Sequence, residues 1–239
     1  MDKFKEIQKE AEKLKAQNKL NLEIDQIILS LLNQYQITIP EALSEGLITN
    51  QTTLPITHVD TKLKDEESIK LKISDLTIDT ENPHNILLYR GFDIHIDENF
   101  HYSAGKTVTS FGFGFETFGQ KLKYFLKNKE DQAAKDIIER ISRNEITETE
   151  DLTQEEIQYI SYIGSDRFIG MDFTVHTSFD YFIAKEFKDS GYQSGTLITI
   201  SIPISSINTR NGIYMGNIGE SEINFFWEFP KEYIKKVEY

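Results

Sequence analysis

The chain has 239 residues, 38% of them hydrophobic and 27% charged, with sixteen Phe and eleven Tyr; this balance excludes collagen, low-complexity disorder and a multispan membrane protein. A formal charge of −13 repels phosphate backbones and anionic lipid, and so disfavours general nucleic-acid or membrane-surface binding. The chain contains no cysteine, which rules out disulfides, thiolate zinc sites and cysteine nucleophiles.

The length exceeds the roughly 100–200 residues of one domain, and points to one core of catalytic size with an appendage. No apolar window is long enough for a membrane span, and the first residues, Met1 to Glu6, lack the apolar stretch of a secretory signal. The expected location is the cytoplasm, or a target cell reached by export without such a signal.

Phe4, Ile7, Ala11 and Leu14 recur at three and four, and Leu20, Ile24, Ile27, Ile28, Leu31 and Leu32 continue the stripe. This spacing predicts a helical pair laid on a core, with a further turn at Glu41 to Leu47 after Pro40. A boundary near residue 80 separates this segment, 1–80, from a second region, 81–239. Ile86 to Gly91 reads as a buried strand that ends, anomalously, on Arg90. Gln120 to Lys127 and Asp131 to Ile141 are predicted helical, with Ile137, Ile138 and Ile141 inward, and another helix begins after Thr153. Between Glu145 and Glu156, six of twelve residues are acidic, a block suited to capping and solvating that helix. The last third is β-rich, with strands expected at Met171 to Thr177, Gly195 to Ile204, Gly212 to Met215 and Glu222 to Phe229. Helices first and strands last indicate an α+β protein.

Several motifs fail on inspection. Gly105-Lys106-Thr107 resembles the end of a phosphate-binding P-loop, but Phe100 stands where that loop needs a glycine. The run Phe111 to Gly119 lacks the third glycine of a dinucleotide fingerprint and reads as a Phe face on the core. Asp93, His95 and Asp97 would share one strand face, where solvated alternation outweighs a metal site; no metal is expected.

Glu220-Ser221-Glu222 stands before the apolar strand that starts at Ile223. In an extended chain the two carboxylates would project from one face. Such a pair suits chemistry in which one carboxylate steadies a developing cation and the other accepts a proton, although solvated surface charge would look the same.

Three segments in order add to this pair: Leu87 to Gly91, then Phe173 to Ser178 with Ala184 beyond, then Gly219 to Ile223. Together they resemble the mono-ADP-ribosyltransferases of the Arg-Ser-Glu class, which include bacterial toxins. That family carries Leu-Tyr-Arg-Gly on a first core strand, Ser-Thr-Ser on a second with an alanine eight residues beyond its first serine, and Glu-x-Glu at a third. His176 to Ala184 keeps the interval, but His176 replaces the leading serine, a position for which Ser178 or Thr177 could stand in. Alternatively, His176 is simply a satisfied strand histidine.

The resemblance covers residues 80–239 and implies an N-terminal helical segment followed by a split β-sandwich of two small sheets with flanking helices. NAD is the implied substrate, with Arg90, Gly91, His176, Thr177 and Ser178 around it and Tyr192 stacked on the nicotinamide ring. Glu222 would bind the ribose 2′-hydroxyl and stabilise the cation left as nicotinamide departs. Glu220 would take a proton from the acceptor, which the family pattern makes a protein arginine. Tyr214, on the Thr209 to Gly219 loop, becomes the candidate for target contact. The acidic surface favours a protein target with a basic patch over nucleic acid, and an antitoxin or host activator is left open. Two alternatives stand beside this reading: an NAD glycohydrolase, and a degenerate fold serving as a binding module.

Overall fold

The computed structural model describes residues 3–17, 19, 21–58, 70–92, 107–109, 118–147, 151–164, 174–191, 195–207, 212–215, 221–226, 228–230 and 233–239. Over these residues the protein is a mixed helix-and-sheet molecule. The predicted N-terminal stripe forms α1 (Lys3–Ala16) and α2 (Asn21–Gln34), which bury Ile7, Leu14, Ile24, Ile28, Leu29 and Leu32. The turn after Pro40 becomes α3 (Ile39–Ser44). Its start is fixed by a capping box, in which Glu41 N–H donates to Thr38 Oγ1 at 3.3 Å and Thr38 N–H donates to Glu41 Oε2 at 2.9 Å.

Among the described residues the main sheet has eight strands in the order β1-β7-β8-β5-β3-β6-β10, with β2 also paired to β3. Their spans are β1 (Thr57–His58), β2 (Thr77–Ile78), β3 (Asn85–Phe92), β5 (Thr174–Ser178), β6 (Thr196–Pro203), β7 (Gly212–Met215), β8 (Glu222–Phe226) and β10 (Ile234–Glu238). Pairing is antiparallel except between β1 and β7. A separate pair joins β4 (Thr107–Thr109) to β9 (Glu228–Pro230).

The strand β3 is covered on both faces. Ile86 and Leu88, each 0% exposed, enter one core with the α1 and α2 residues and with Ile198, Ile200 and Ile202 of β6. That core holds residues from both sides of position 80. Leu87 and Tyr89 turn the other way, against Tyr181 and Ala184 of a helix that follows β5. Between β3 and β5 the chain makes α4 (Phe118–Leu126), α5 (Gln132–Ser142) and α6 (Gln154–Gly164), which close on a second core around Leu122, Leu126, Ile137 and Ile157. Ile141 is inward as predicted, whereas Ile138 is only partly buried. No helix is long and apolar enough to cross a membrane among the described residues.

Candidate active site

The edges of β3 are used unequally. One edge pairs with β6 along its whole length, from Asn85↔Pro203 to Phe92↔Thr196. On the other edge β2 takes Ile86 and Leu87, and β5 meets β3 at the single pair Tyr89↔Ser178. Ser178 in turn lies opposite Glu222 of β8. One row, Tyr89–Ser178–Glu222, therefore crosses the seam of the sheet and brings the end of β3 to the start of β8, although the two are far apart in sequence.

Arg90 follows Tyr89 at that seam. Its guanidinium carbon lies 4.7 Å from the centre of the Phe92 ring, a cation–π contact two residues along the same strand. The residue is partly exposed, but Nη1 is shut off from solvent and has no hydrogen-bond partner among the described residues. Burial pushes the guanidinium down to about 10, while the Glu222 carboxylate acts in the opposite direction. At neutral pH the group thus stays charged. A buried cationic donor without a partner is costly, and buried polar groups are normally paired.

Glu222 is largely buried, with its side chain 14% exposed, and its Oε1 sits 3.1 Å from His176 Nδ1. The neighbours of His176 are occupied elsewhere. Thr177 Oγ1 donates to the Ile223 carbonyl at 2.5 Å. Ser178 Oγ donates to the Ser221 carbonyl at 3.3 Å and accepts from Asp180 N–H at 3.1 Å. Of the three positions weighed for the family's leading serine, His176 is the one whose ring contacts the Glu222 carboxylate, while Ser178 lies opposite Glu222 in the strand register and Thr177 bonds the Ile223 carbonyl.

One further expectation changes. The chain between the paired glutamates is not extended, because Ser221 has φ of 50°, in the left-handed region, with its carbonyl also accepting from Phe179 N–H at 3.0 Å. The extended-chain reason for placing Glu220 and Glu222 on one face therefore fails. Tyr214, counted above in the Thr209 to Gly219 segment, lies on β7, the strand expected at Gly212 to Met215, in register with Ile223 and with His58 of β1.

Glu220, Tyr192, the Asp93, His95 and Asp97 set and the 111–117 part of the Phe-rich run lie outside the described residues, as does the side chain of Tyr214. Among the described residues no group of three or more potential ligands could hold a metal ion.

The helix α7 (Tyr181–Asp189) fixes the geometry from behind. Asp180 caps it, accepting from Phe182 N–H at 2.8 Å. Ala184 is buried where a Cβ on Gly91 would come within 1.8 Å of its carbonyl oxygen. The interval of eight from His176 to Ala184 thus has a physical cause: it carries the chain from the site strand to the helical turn that lies on Gly91. Sequence reasoning missed Asp180, Phe92 and Ser221; of these, only Asp180 had a signal, as an acidic residue just before an apolar helical run.

No family model, no curated protein and no solved structure matches this chain.

Proposed function

We propose that the protein is an NAD-dependent mono-ADP-ribosyltransferase of the Arg-Ser-Glu kind, acting as a toxin or effector on a macromolecular acceptor, a protein arginine. The observation that carries the reading is the buried Arg90 Nη1, on a charged group and without a hydrogen-bond partner among the described residues, near a carboxylate that is itself held in place. A ligand with planar acceptor oxygens would satisfy that guanidinium, and a dinucleotide's pyrophosphate or ribose hydroxyls have the required chemistry. The seam between β3 and β5 supports the finer fold reading, a split β-sandwich whose two small sheets meet at one residue pair.

On this reading Arg90 orients the dinucleotide and Glu222 accepts a hydrogen bond from the nicotinamide ribose. The bond between the ribose C1′ and the nicotinamide nitrogen breaks, and its electron pair leaves with nicotinamide. Glu222 stabilises the positive charge that grows on the sugar. A guanidinium nitrogen of the acceptor then bonds to C1′ and loses a proton, for which Glu220 is the family's base.

NAD glycohydrolysis is a second reading, since it would use Arg90 and Glu222 in the same way but hand the ribosyl cation to water, with no base needed for a macromolecular acceptor. Both are tested by incubating the protein and its Glu222→Gln variant with labelled NAD and a cell lysate. Transfer predicts a labelled macromolecule and free nicotinamide, with turnover lowered roughly 10²–10³-fold in the variant. Nicotinamide without a labelled acceptor would favour hydrolysis, and neither product would refute both.

A further inference from the structure

Glu222 and Arg90 carry opposite charges at one seam, yet they form no ion pair in the structure. Left to themselves, a carboxylate and a buried guanidinium with an open donor would close on each other, since such pairs are among the stronger charge-assisted contacts. Among the described residues, Glu222 is bonded instead by His176. Its Nδ1 lies 3.1 Å from Glu222 Oε1, and because a carboxylate only accepts, the ring must carry its proton on Nδ1. The register puts His176 opposite Asn224, so that Glu222 is its diagonal neighbour, within reach of two long side chains. Glu222 Oε2 takes no hydrogen bond from the described residues.

We propose that His176 is a positioning residue: in its Nδ1–H form it clamps Glu222 Oε1, keeps the carboxylate off Arg90, and so holds Oε2 ready for a substrate hydroxyl. This rests on the reading of Glu222 given above. It goes beyond that reading by assigning the histidine a task for which the tautomer matters, with the ring acting through Glu222.

Asparagine and glutamine variants separate this role from mere packing. The amide nitrogen of asparagine can occupy the place of Nδ1, whereas that of glutamine falls nearer the place of Nε2. For nicotinamide release, His176→Ala and His176→Gln should lose kcat on the order of 10²-fold, the scale of a misplaced catalytic group. His176→Asn should stay within about tenfold of the native protein, since it retains one charge-assisted hydrogen bond. Equal losses in the asparagine and glutamine variants, with both folded by circular dichroism, would overturn the proposal.

A second measurement does not depend on activity. Ring-nitrogen NMR of the native protein at neutral pH should show His176 protonated on Nδ1, with a signal that moves in Glu222→Gln. If the native protein releases no nicotinamide, the functional reading fails and this spectrum alone decides the clamp. A ring protonated only on Nε2, or a signal indifferent to Glu222→Gln, would overturn it.

Discussion

Replacing Gly91 by alanine tests whether α7 really fixes the end of β3. A Cβ at this position would lie 1.8 Å from the Ala184 carbonyl oxygen, 2.9 Å from its carbonyl carbon and 3.0 Å from the Lys188 nitrogen. All three are helix backbone atoms, so no change of rotamer relieves the overlap and the helix itself must move. Overpacking of a core costs about 1–3 kcal/mol when side chains can adjust, and a backbone clash belongs at or above the top of that range. At roughly 2–4 °C per kcal/mol for a chain of this size, the melting temperature should fall by about 6–12 °C. Urea unfolding followed by circular dichroism gives the same quantity as a lower midpoint with an unchanged slope. Adding Ala184→Gly should not restore stability, because the obstructing atom is a carbonyl oxygen and not the alanine methyl. Since Arg90 is the adjacent residue, nicotinamide release should also suffer. A Gly91→Ala protein melting within about 2 °C of the native one would refute the close approach of helix and strand on which this reasoning stands.

Arg90→Met should leave stability unchanged or raise it by about 1–3 kcal/mol, since it removes a desolvated charge with an unpartnered donor, while abolishing NAD turnover; a clear fall in the urea midpoint would show that Arg90 is paired structurally. Thr177→Val removes the hydroxyl that donates to the Ile223 carbonyl and should cost about 1 kcal/mol, read as a lower urea midpoint. Asp79→Asn should cost about 2–4 kcal/mol at pH 7, because it breaks a buried contact with Lys235. Burial alone would raise the Asp79 carboxyl, but hydrogen bonds from Lys235, Ser201 and Glu81 N–H outweigh it and hold the group below its ordinary value. Its contribution is therefore complete above the unfolded value, near about 3.9, and lost as pH falls through the folded one, so the native–variant gap in urea stability should be flat from neutral pH downward and close only in acid.

The parts of the fold that local chemistry dictates were legible in the sequence. Thr196–Pro203 is rich in Ile and Thr, residues suited to a strand, and it forms β6 within a residue or two of the predicted span. The helix after Thr153 announces itself through a capping box, with Glu156 N–H donating to Thr153 Oγ1 at 3.2 Å and Thr153 N–H to Glu156 Oε2 at 2.7 Å. What could not be read depends on partners distant in the chain. Thr57–His58 is too short to carry a period and is a strand only because β7 lies alongside it. The left-handed backbone of Ser221 goes with two tertiary bonds to its carbonyl, from Phe179 N–H and Ser178 Oγ, and nothing in Glu-Ser-Glu itself asks for it. Arg90 could be recognised as an anomaly on an apolar strand, but only the seam shows that its Nη1 is left open and not closed into an internal ion pair.

The contrast between the two ends of β3 argues that this opening is a feature of the site. Near the start of the strand, Asp79 is 2% exposed and every need of its carboxylate is met: Ser201 Oγ donates at 2.6 Å, Glu81 N–H at 3.0 Å and Lys235 Nζ at 2.5 Å. Asn85 Nδ2 completes the group with a 3.0 Å bond to Ser201 Oγ. At the far end, a few residues along the same strand, the fold buries a cation and leaves a donor open, with a carboxylate nearby that is held by another residue. A network that serves stability alone would be expected to close, as it does at Asp79, because an unsatisfied buried charge opposes folding. Local departures of this kind are expected at functional sites, where binding supplies the missing partner. Among the described residues, the end of β3 is therefore where, on the proposed reading, a bound ligand would offset a buried open donor, and its acceptor oxygens would be set by the guanidinium of Arg90.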